Sequence, residues 1–412
     1  MTSVRPAEPV AVVGTGVVAP GGLGVDELWR SLLAARSFAE PYVDPRLPPD
    51  ARALVARVAG FDPTGQLSPV EVRRTDRTHQ LAVAAARQAL DEHTGELPPP
   101  ERCAVVCGVG MGAATTYEQQ HDDLTARGVR GMSPLAVPVL MPSSTAAVLS
   151  IRFGFTGPCL TVTTACASGT TAIGEGAELL RRGAADLVLA GGADCSLSYP
   201  AVCGFLRLDA LSRHTDEPAL ASRPFDVDRD GFVLGEGAGF VVLVRARDAA
   251  ATGAPVLATV TGYASTADAH HVVAPDPSGA SAVRCMGLAL HDAGAVPFDV
   301  AHVNAHGTST PAGDLAEATA LRRLFGDHTV PVTAVKGTTG HCVAASGAIE
   351  AVVVTRSLRH RVVPPVAGLR EIDPKTSLDV VRDEPRAVGD GVALSTSFGF
   401  GGANACLVLA AP

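Results

Sequence analysis

Residues 161–183 read TVTTACASGTTAIGEGAELLRRG, and residues 335–351 read VKGTTGHCVAASGAIEA. In the first stretch the β-branched residues up to Thr164 mark the end of a strand. Ile173, Ala177 and Leu180 then recur at helical spacing, and Gly183 is placed as a C-terminal cap. In the second, Ala345-Ser346-Gly347 repeats the Ala167-Ser168-Gly169 that opens the first helix, again after a strand and a tight polar loop, and that helix runs to Leu358-Arg359-His360. Such an echo at equivalent places points to a duplicated unit. Working outward, apolar β-branched runs lie at 11–13, 103–108, 186–192 and 240–244, and again at 258–263, 302–307, 331–335, 392–397 and 405–410, with helix-like segments between. This alternation predicts an α/β fold with buried strands. The halves are assigned to residues 1–250 and 251–412, meeting near Arg247–Val256, where Ala, Gly and Pro accumulate. The Pro-rich stretch 46–66 and residues 95–101 read as surface excursions.

The chain has 412 residues, 47% hydrophobic and 18% charged, which excludes a disordered or coiled-coil protein. A net charge of −9 without any basic block or basic-aromatic interleaving gives nucleic-acid binding no support. The most apolar early stretch, Val10 to Ala19, is interrupted by Gly14 and Gly16 and lacks a charged leader, so it reads as a first core strand. No membrane segment or secretory signal is expected, and a cytoplasmic location is. Nine cysteines with no CxxC pair argue against a disulfide framework. Among 33 basic residues only Lys336 and Lys375 are lysines, which makes each worth locating.

Cys166 falls at the strand-to-helix junction, where the N–H groups of a helix start are expected to lower the thiol pKa and favour a thiolate. Glycines at 169, 174 and 176 would cost about 1 kcal/mol each relative to alanine inside that helix, so close packing around a central helix must offset them. His306 follows a strand in VNAHGTSTPAGDLAEA, with hydroxyl donors after it and Asp314 and Glu317 placed to start a helix. Lys336 and His341 flank a Gly-Thr-Thr-Gly loop, and Glu350, nine residues past His341, is a candidate carboxylate partner. The loop STSFGFGGANA at 395–405 combines accessible amides with Phe398 and Phe400 facing a cavity. Taken singly, each has a plain structural reading: one more core cysteine, an incidental histidine, a tight packed turn. Together a thiol, two imidazoles, a lysine and exposed amides fit a site for acyl-thioester chemistry.

These residues resemble the β-ketoacyl-acyl-carrier-protein synthases of the thiolase superfamily. The resemblance rests on VAVVGTGVVAPGG at 10–22, TACASG around Cys166, ASRPFDVDRDGFVLGEGAG at 221–239, NAHGTSTPAGD at 304–314, KGTTGH at 336–341 and SFGFGGANA at 397–405. It implies a thiolase-like five-layered α/β/α/β/α fold of two duplicated halves. Cys166 would be the acyl-accepting nucleophile, and His306 and His341 the pair that decarboxylates a malonyl thioester. Lys336 would support the second histidine's site, with Glu350 as its ionic partner. The amides of Cys166 and Phe400 would form an oxyanion hole, with Phe400 also a gate over the acyl pocket. Thr308 and Thr310 would bind the pantetheine arm, while Met111, Phe205 and Phe398 would line the substrate site. No metal or redox cofactor is implied, since substrates ride on the phosphopantetheine of an acyl carrier protein. Arg73, Arg74, Arg130 and Arg207 would form a basic docking rim for that carrier.

The resemblance also implies a homodimer, or a heterodimer with a chain-length-factor homologue. Ala274, where a pantetheine-contacting serine is common, Thr396 in place of a frequent asparagine, and KGTTGH lean towards a type II polyketide ketosynthase. The alternative is a fatty-acid elongation enzyme. A degradative thiolase would need a second catalytic cysteine in its C-terminal motif and lacks the HGTST histidine, despite Cys406 nearby. A silent chain-length factor would have lost the nucleophile.

Overall fold

The computed structural model describes residues 8–48 and 50–412. In the first half the sheet strands and their principal helices run β1 (Val10–Val18), α1 (Arg77–Glu92), β2 (Cys103–Gly108), β3 (Cys159–Val162), α2 (Ser168–Arg181), β4 (Leu187–Cys195) and β5 (Leu234–Arg245). The second half follows as β6 (Ala258–Ala267), α3 (Ala280–Ala293), β7 (Val300–Asn304), α4 (Pro311–Phe325), β8 (Pro331–Thr333), α5 (Ser346–His360), β9 (Val392–Gly399) and β10 (Ala403–Ala410).

The sheet shows the duplication. In the first half the strand order is β3-β2-β4-β5-β1 and in the second β8-β7-β9-β10-β6, the same order counted within each half. The senses agree too. β2 is parallel to β3 and β4, with β4–β5 and β5–β1 antiparallel; β7 is parallel to β8 and β9, with β9–β10 and β10–β6 antiparallel. The halves join where β1 pairs antiparallel with β6 over Val10↔Val260 to Val12↔Ala258.

Alternation along the strands assigns each side chain to a layer. Val241 and Leu243 of β5, and Leu407 and Leu409 of β10, share one core with Ile173 of α2 and Ile349 of α5. Phe240 and Val242 turn the other way, onto Leu81 and Val83 of α1, and Cys406 and Val408 turn onto Met286 of α3 and Leu321 of α4. The result is the five-layered α/β/α/β/α arrangement, with α2 and α5 buried between two sheets.

That burial answers the glycine question. A Cβ at Gly174 would lie 2.2 Å from the Tyr263 ring, and one at Gly347 only 2.0 Å from Thr170 Oγ1. A Cβ at Gly169 would lie 2.7 Å from both Ala344 O and Ala348 N, and one at Gly347 also 2.8 Å from Thr170 N, so the heads of α2 and α5 cross with backbone against backbone. Each helix is preceded by a single 3₁₀ turn whose first residue lies in the left-handed region: Ala165 (φ 50°) before Cys166, and Val343 (φ 44°) before Ala344. The match extends the three-residue echo and makes Ala344 the counterpart of Cys166. Gly183 (φ 71°) follows α2 as expected.

Two expectations need correction. Within 46–66, Leu54–Ala56 is a buried strand that pairs antiparallel with Ala39–Pro41 and parallel with β5, because the apolar run there covers the edge of the core. The strand expected at 302–307 stops at Asn304, since the amides of His306 and Gly307 leave the ladder for the carboxylate of Glu317.

Candidate active site

The left-handed Ala165 lifts Cys166 out of the strand direction, and the Ser168 hydroxyl braces the turn by accepting from Thr164 N at 2.9 Å and donating to Ala165 O at 2.6 Å. The thiol, nearly buried, faces the other half: Sγ is 3.1 Å from Nε2 of His341, whose Nδ1 is 3.1 Å from Ser346 Oγ. The His306 ring meets His341 edge-on, centroids 5.4 Å apart at 86°. Phe232 backs His341 and Phe398 backs His306, both edge-on, at 5.2 and 6.0 Å.

Lys336 and Glu350 are both fully buried and form an ion pair. The ammonium also donates to the His306 carbonyl at 2.5 Å and lies 3.4 Å from His306 Nδ1. An ammonium only donates, so Nδ1 accepts and the ring proton sits on Nε2. Lys336 thus touches His306 directly, because the turn Lys336–Thr339 aims its side chain under the His306 loop, and acts on His341, the histidine the sequence implied, through its charge alone. Glu317 completes that support: Oε1 accepts from His306 N and Thr396 Oγ1 and Oε2 from Gly307 N, all at 2.8 Å. Sequence reasoning placed Glu317 only at a helix start; its spacing of three from Asp314, on one helix face, was the available signal.

Burial and the Lys336 charge hold both imidazoles well below the usual histidine range, so both are neutral. Burial pushes the Cys166 thiol up to about 11, although Lys336 and the amides of Phe400 and Cys166 itself pull it down. This corrects the expectation of a thiolate favoured by the helix start: desolvation outweighs the amides. Those two amides nevertheless converge on the sulfur from separate segments.

A cavity of about 370 Å³ opens from Cys166, His306 and His341 and is lined by Thr308, Thr310, Phe398, Phe400 and Ala274. Thr308 and Thr310 are joined through their hydroxyls at 2.9 Å. Met111 and Phe205 line a second cavity of about 590 Å³, which shares Leu208 with the first. Phe205 packs ring on ring against Phe232, centroids 5.6 Å apart, and Phe232 in turn backs His341. Arg73, Arg74, Arg130 and Arg207 are all exposed, but of these only Arg207 adjoins a cavity residue, Leu208. The first cavity's lining includes Asp209, Asp268 and Asp276 and, among the described residues, no arginine or lysine. No helix among the described residues is long and apolar enough to cross a membrane.

The chain matches the β-ketoacyl synthase N-terminal domain over residues 7–249 and the β-ketoacyl synthase C-terminal domain over 257–370. It belongs to the β-ketoacyl synthase family. A 3-oxoacyl-[acyl-carrier-protein] synthase 2 of Coxiella burnetii is 37% identical over 404 residues, covering 97% of this chain and 98% of that protein. Among solved structures, a β-ketoacyl synthase from Burkholderia phymatum superposes with a TM-score of 0.92 at 33% identity, over 98% of this chain and 100% of that one. A ketosynthase structure with a type II PKS acyl-carrier protein in complex, bound to the hexaketide, matches with a TM-score of 0.91 at 28% identity, over 99% and 100% of the two chains. This ketosynthase is accordingly an acyltransferase-type enzyme.

Proposed function

We propose that this ketosynthase condenses an acyl group held on Cys166 with a malonyl unit carried by an acyl carrier protein, in type II polyketide assembly, and that it needs no metal or redox cofactor for this. The observation that carries the reading is the 3.1 Å contact of Cys166 Sγ with His341 Nε2, made inside a wall that includes His306 and the Phe400 amide. In the first half-reaction the thiol proton passes to His341 as sulfur attacks the carrier thioester. The oxyanion lies between the amides of Cys166 and Phe400, and the departing pantetheine sulfur takes the proton back. In the second, the bond between the malonyl carboxylate and Cα breaks and carbon dioxide leaves. The electron pair moves into an enolate whose oxygen accepts from Nε2–H of His306 and from His341 in the tautomer it takes once Cys166 is acylated, with the proton on Nε2 and Nδ1 accepting from the Ser346 hydroxyl. Cα then attacks the acyl carbonyl, and Cys166 leaves as thiolate, which takes one proton from solvent to restore the thiol. Two neutral imidazoles suit this role, because they donate without protonating the carbanion. Thr308 and Thr310 line the path for the pantetheine arm.

The polyketide reading draws on Ala274, Thr396 and KGTTGH, and on the ketosynthase–carrier and ishigamide ketosynthase/chain length factor structures among the neighbours. Fatty-acid elongation is the second reading, favoured by the names of the relatives in sequence. A homologous second subunit, identical or of chain-length-factor type, fits the open edge strand β3 with Leu160 exposed on it, and the exposed Met111, Tyr117 and Val137. The units 1–250 and 251–412 would supply the nucleophile and the two histidines respectively. The deciding assay is carrier-dependent condensation: wild type forms a β-ketoacyl carrier, and Cys166→Ala loses condensation by at least about a thousandfold. Condensation surviving that substitution would remove the nucleophile assignment, and mass spectrometry of the acyl group on Cys166 separates polyketide from fatty-acid intermediates.

A further inference from the structure

Asp194, near the end of β4, is a fully buried carboxylate that the proposed chemistry does not use. Its Oδ2 accepts from Gly110 N at 3.1 Å and its Oδ1 from the Ser196 hydroxyl, and the amides of Met111 and Ala344 lie close enough to favour the charged carboxylate. The three amides come from two turns, whereas Ser196 follows β4 itself. One leaves β2 through Gly110 and puts Met111 in the wall of the larger cavity. The other, Val343–Ala345, follows His341 and packs Val343 into the same apolar cluster as Cys166 and Phe205. The turns also touch directly: a Cβ on Gly110 would come within 2.4 Å of Asp194 Oδ2, 3.2 Å of Val343 Cγ1 and 3.5 Å of Ala344 Cβ. Burial pushes the Asp194 carboxyl up to about 6, so keeping it here costs stability that only its four donors offset.

We propose that Asp194 is a positioning residue for acyl-chain selection: by gathering the amides of Gly110, Met111 and Ala344 it locks the Met111 wall to the Cys166–His341 centre and fixes the shape of the cavity that takes the acyl tail. The tail's identity as an acyl chain rests on the ketosynthase reading; the locking of the two turns does not. Asparagine has almost the same shape but offers one acceptor oxygen, and its NH₂ group would face N–H donors. The turn carrying Met111 then has to move.

The test compares wild type, Asp194→Asn and Ser196→Ala as full-length proteins. Acetyl and dodecanoyl groups are offered as carrier thioesters, and acylation of Cys166 is followed by mass spectrometry. In parallel the same thiol is challenged with short- and long-chain N-alkyl maleimides, which add its sulfur to the ring double bond and need no carrier. In Asp194→Asn the dodecanoyl-to-acetyl ratio of kcat/KM falls about tenfold, carried by KM, with acetyl transfer within about twofold of wild type. The long-to-short maleimide ratio falls with it, and Ser196→Ala, which removes one donor only, shifts both ratios the same way by about threefold. Ratios unchanged in both variants, or short and long reagents slowed equally, overturn the proposal. If Asp194→Asn does not fold, Ser196→Ala alone decides. A wild type that takes neither acyl group yet still discriminates between the maleimides would instead sink the ketosynthase reading.

Discussion

At Lys336 the scarcity of lysine acquires a physical meaning. The ammonium fills a fully buried niche between Glu350 and the His306 carbonyl, where the larger planar fork of arginine would not fit. Lys336→Met leaves Glu350 as an unpaired buried charge and is expected to lower unfolding free energy by about 3–5 kcal/mol, whereas Lys336→Met with Glu350→Leu regains most of it. Urea unfolding of the single and double variants checks this, and a double variant no more stable than the single would refute it. His302 shows the converse case. Both its ring nitrogens lack partners among the described residues, and burial alone lowers it to about 4. A folded pKa below the unfolded 6.5 means that only the unfolded chain takes up the proton between about pH 6.5 and 4, so wild-type stability drops as pH falls through that window. His302→Leu should gain about 2 kcal/mol over wild type at pH 5 beyond any gain at pH 7.5, the difference coming from a pKa gap of 1.5 units above pH 5. Equal gains at both pH values would argue that His302 does not titrate this way.

The decisive element is the strand–turn–helix unit that occurs twice, and its central helices invert the usual propensity argument. Alanine normally stabilises a helix relative to glycine by about 1 kcal/mol. At position 174 the added methyl would meet the Tyr263 ring at 2.2 Å, so Gly174→Ala should instead destabilise by about 1–3 kcal/mol, read as a lower urea midpoint at unchanged slope. A stabilised variant would show that the ring can move aside. The same element marks the limit of what could be read from the chain. Cys166, His306, His341 and the Lys336–Glu350 pair were legible because each lies in a short Gly-rich or Thr-rich segment whose local chemistry is conspicuous. Asp194 was not, since its partner Gly110 is 84 residues away in sequence. The inward strand Leu54–Ala56 was hidden in a Pro-rich stretch for the same reason: its value is set by β5. The raised thiol pKa depends on total burial, which no local pattern encodes.

On the scale of the molecule, charge is distributed unevenly around the entrance. Asp209 at the cavity is paired with the exposed Arg213 at 2.5 Å, while Arg207, two residues earlier, is exposed and has no ion pair among the described residues. Arg207→Glu is therefore expected to weaken carrier-protein binding, chiefly through a slower association rate that converges with wild type at high salt, whereas Arg73→Glu, on the separate helix Pro69–Arg74, tests whether the rim extends that far. Surface plasmon resonance at two ionic strengths measures both, and Arg207→Glu binding like wild type at low salt would remove it from the interface.

The backbone crossing of α2 and α5 also divides the molecule into parts that can vary and parts that cannot. At Gly347 the two helices leave no room for even one methyl group, so the spacing between sulfur and imidazole has no adjustable screw. Met111, Phe205 and Ala274, by contrast, sit in a turn, on the helix Tyr199–Arg207 and in a loop, outside the crossing. Such a chassis can be re-tooled for a different cargo while its machinery stays in register.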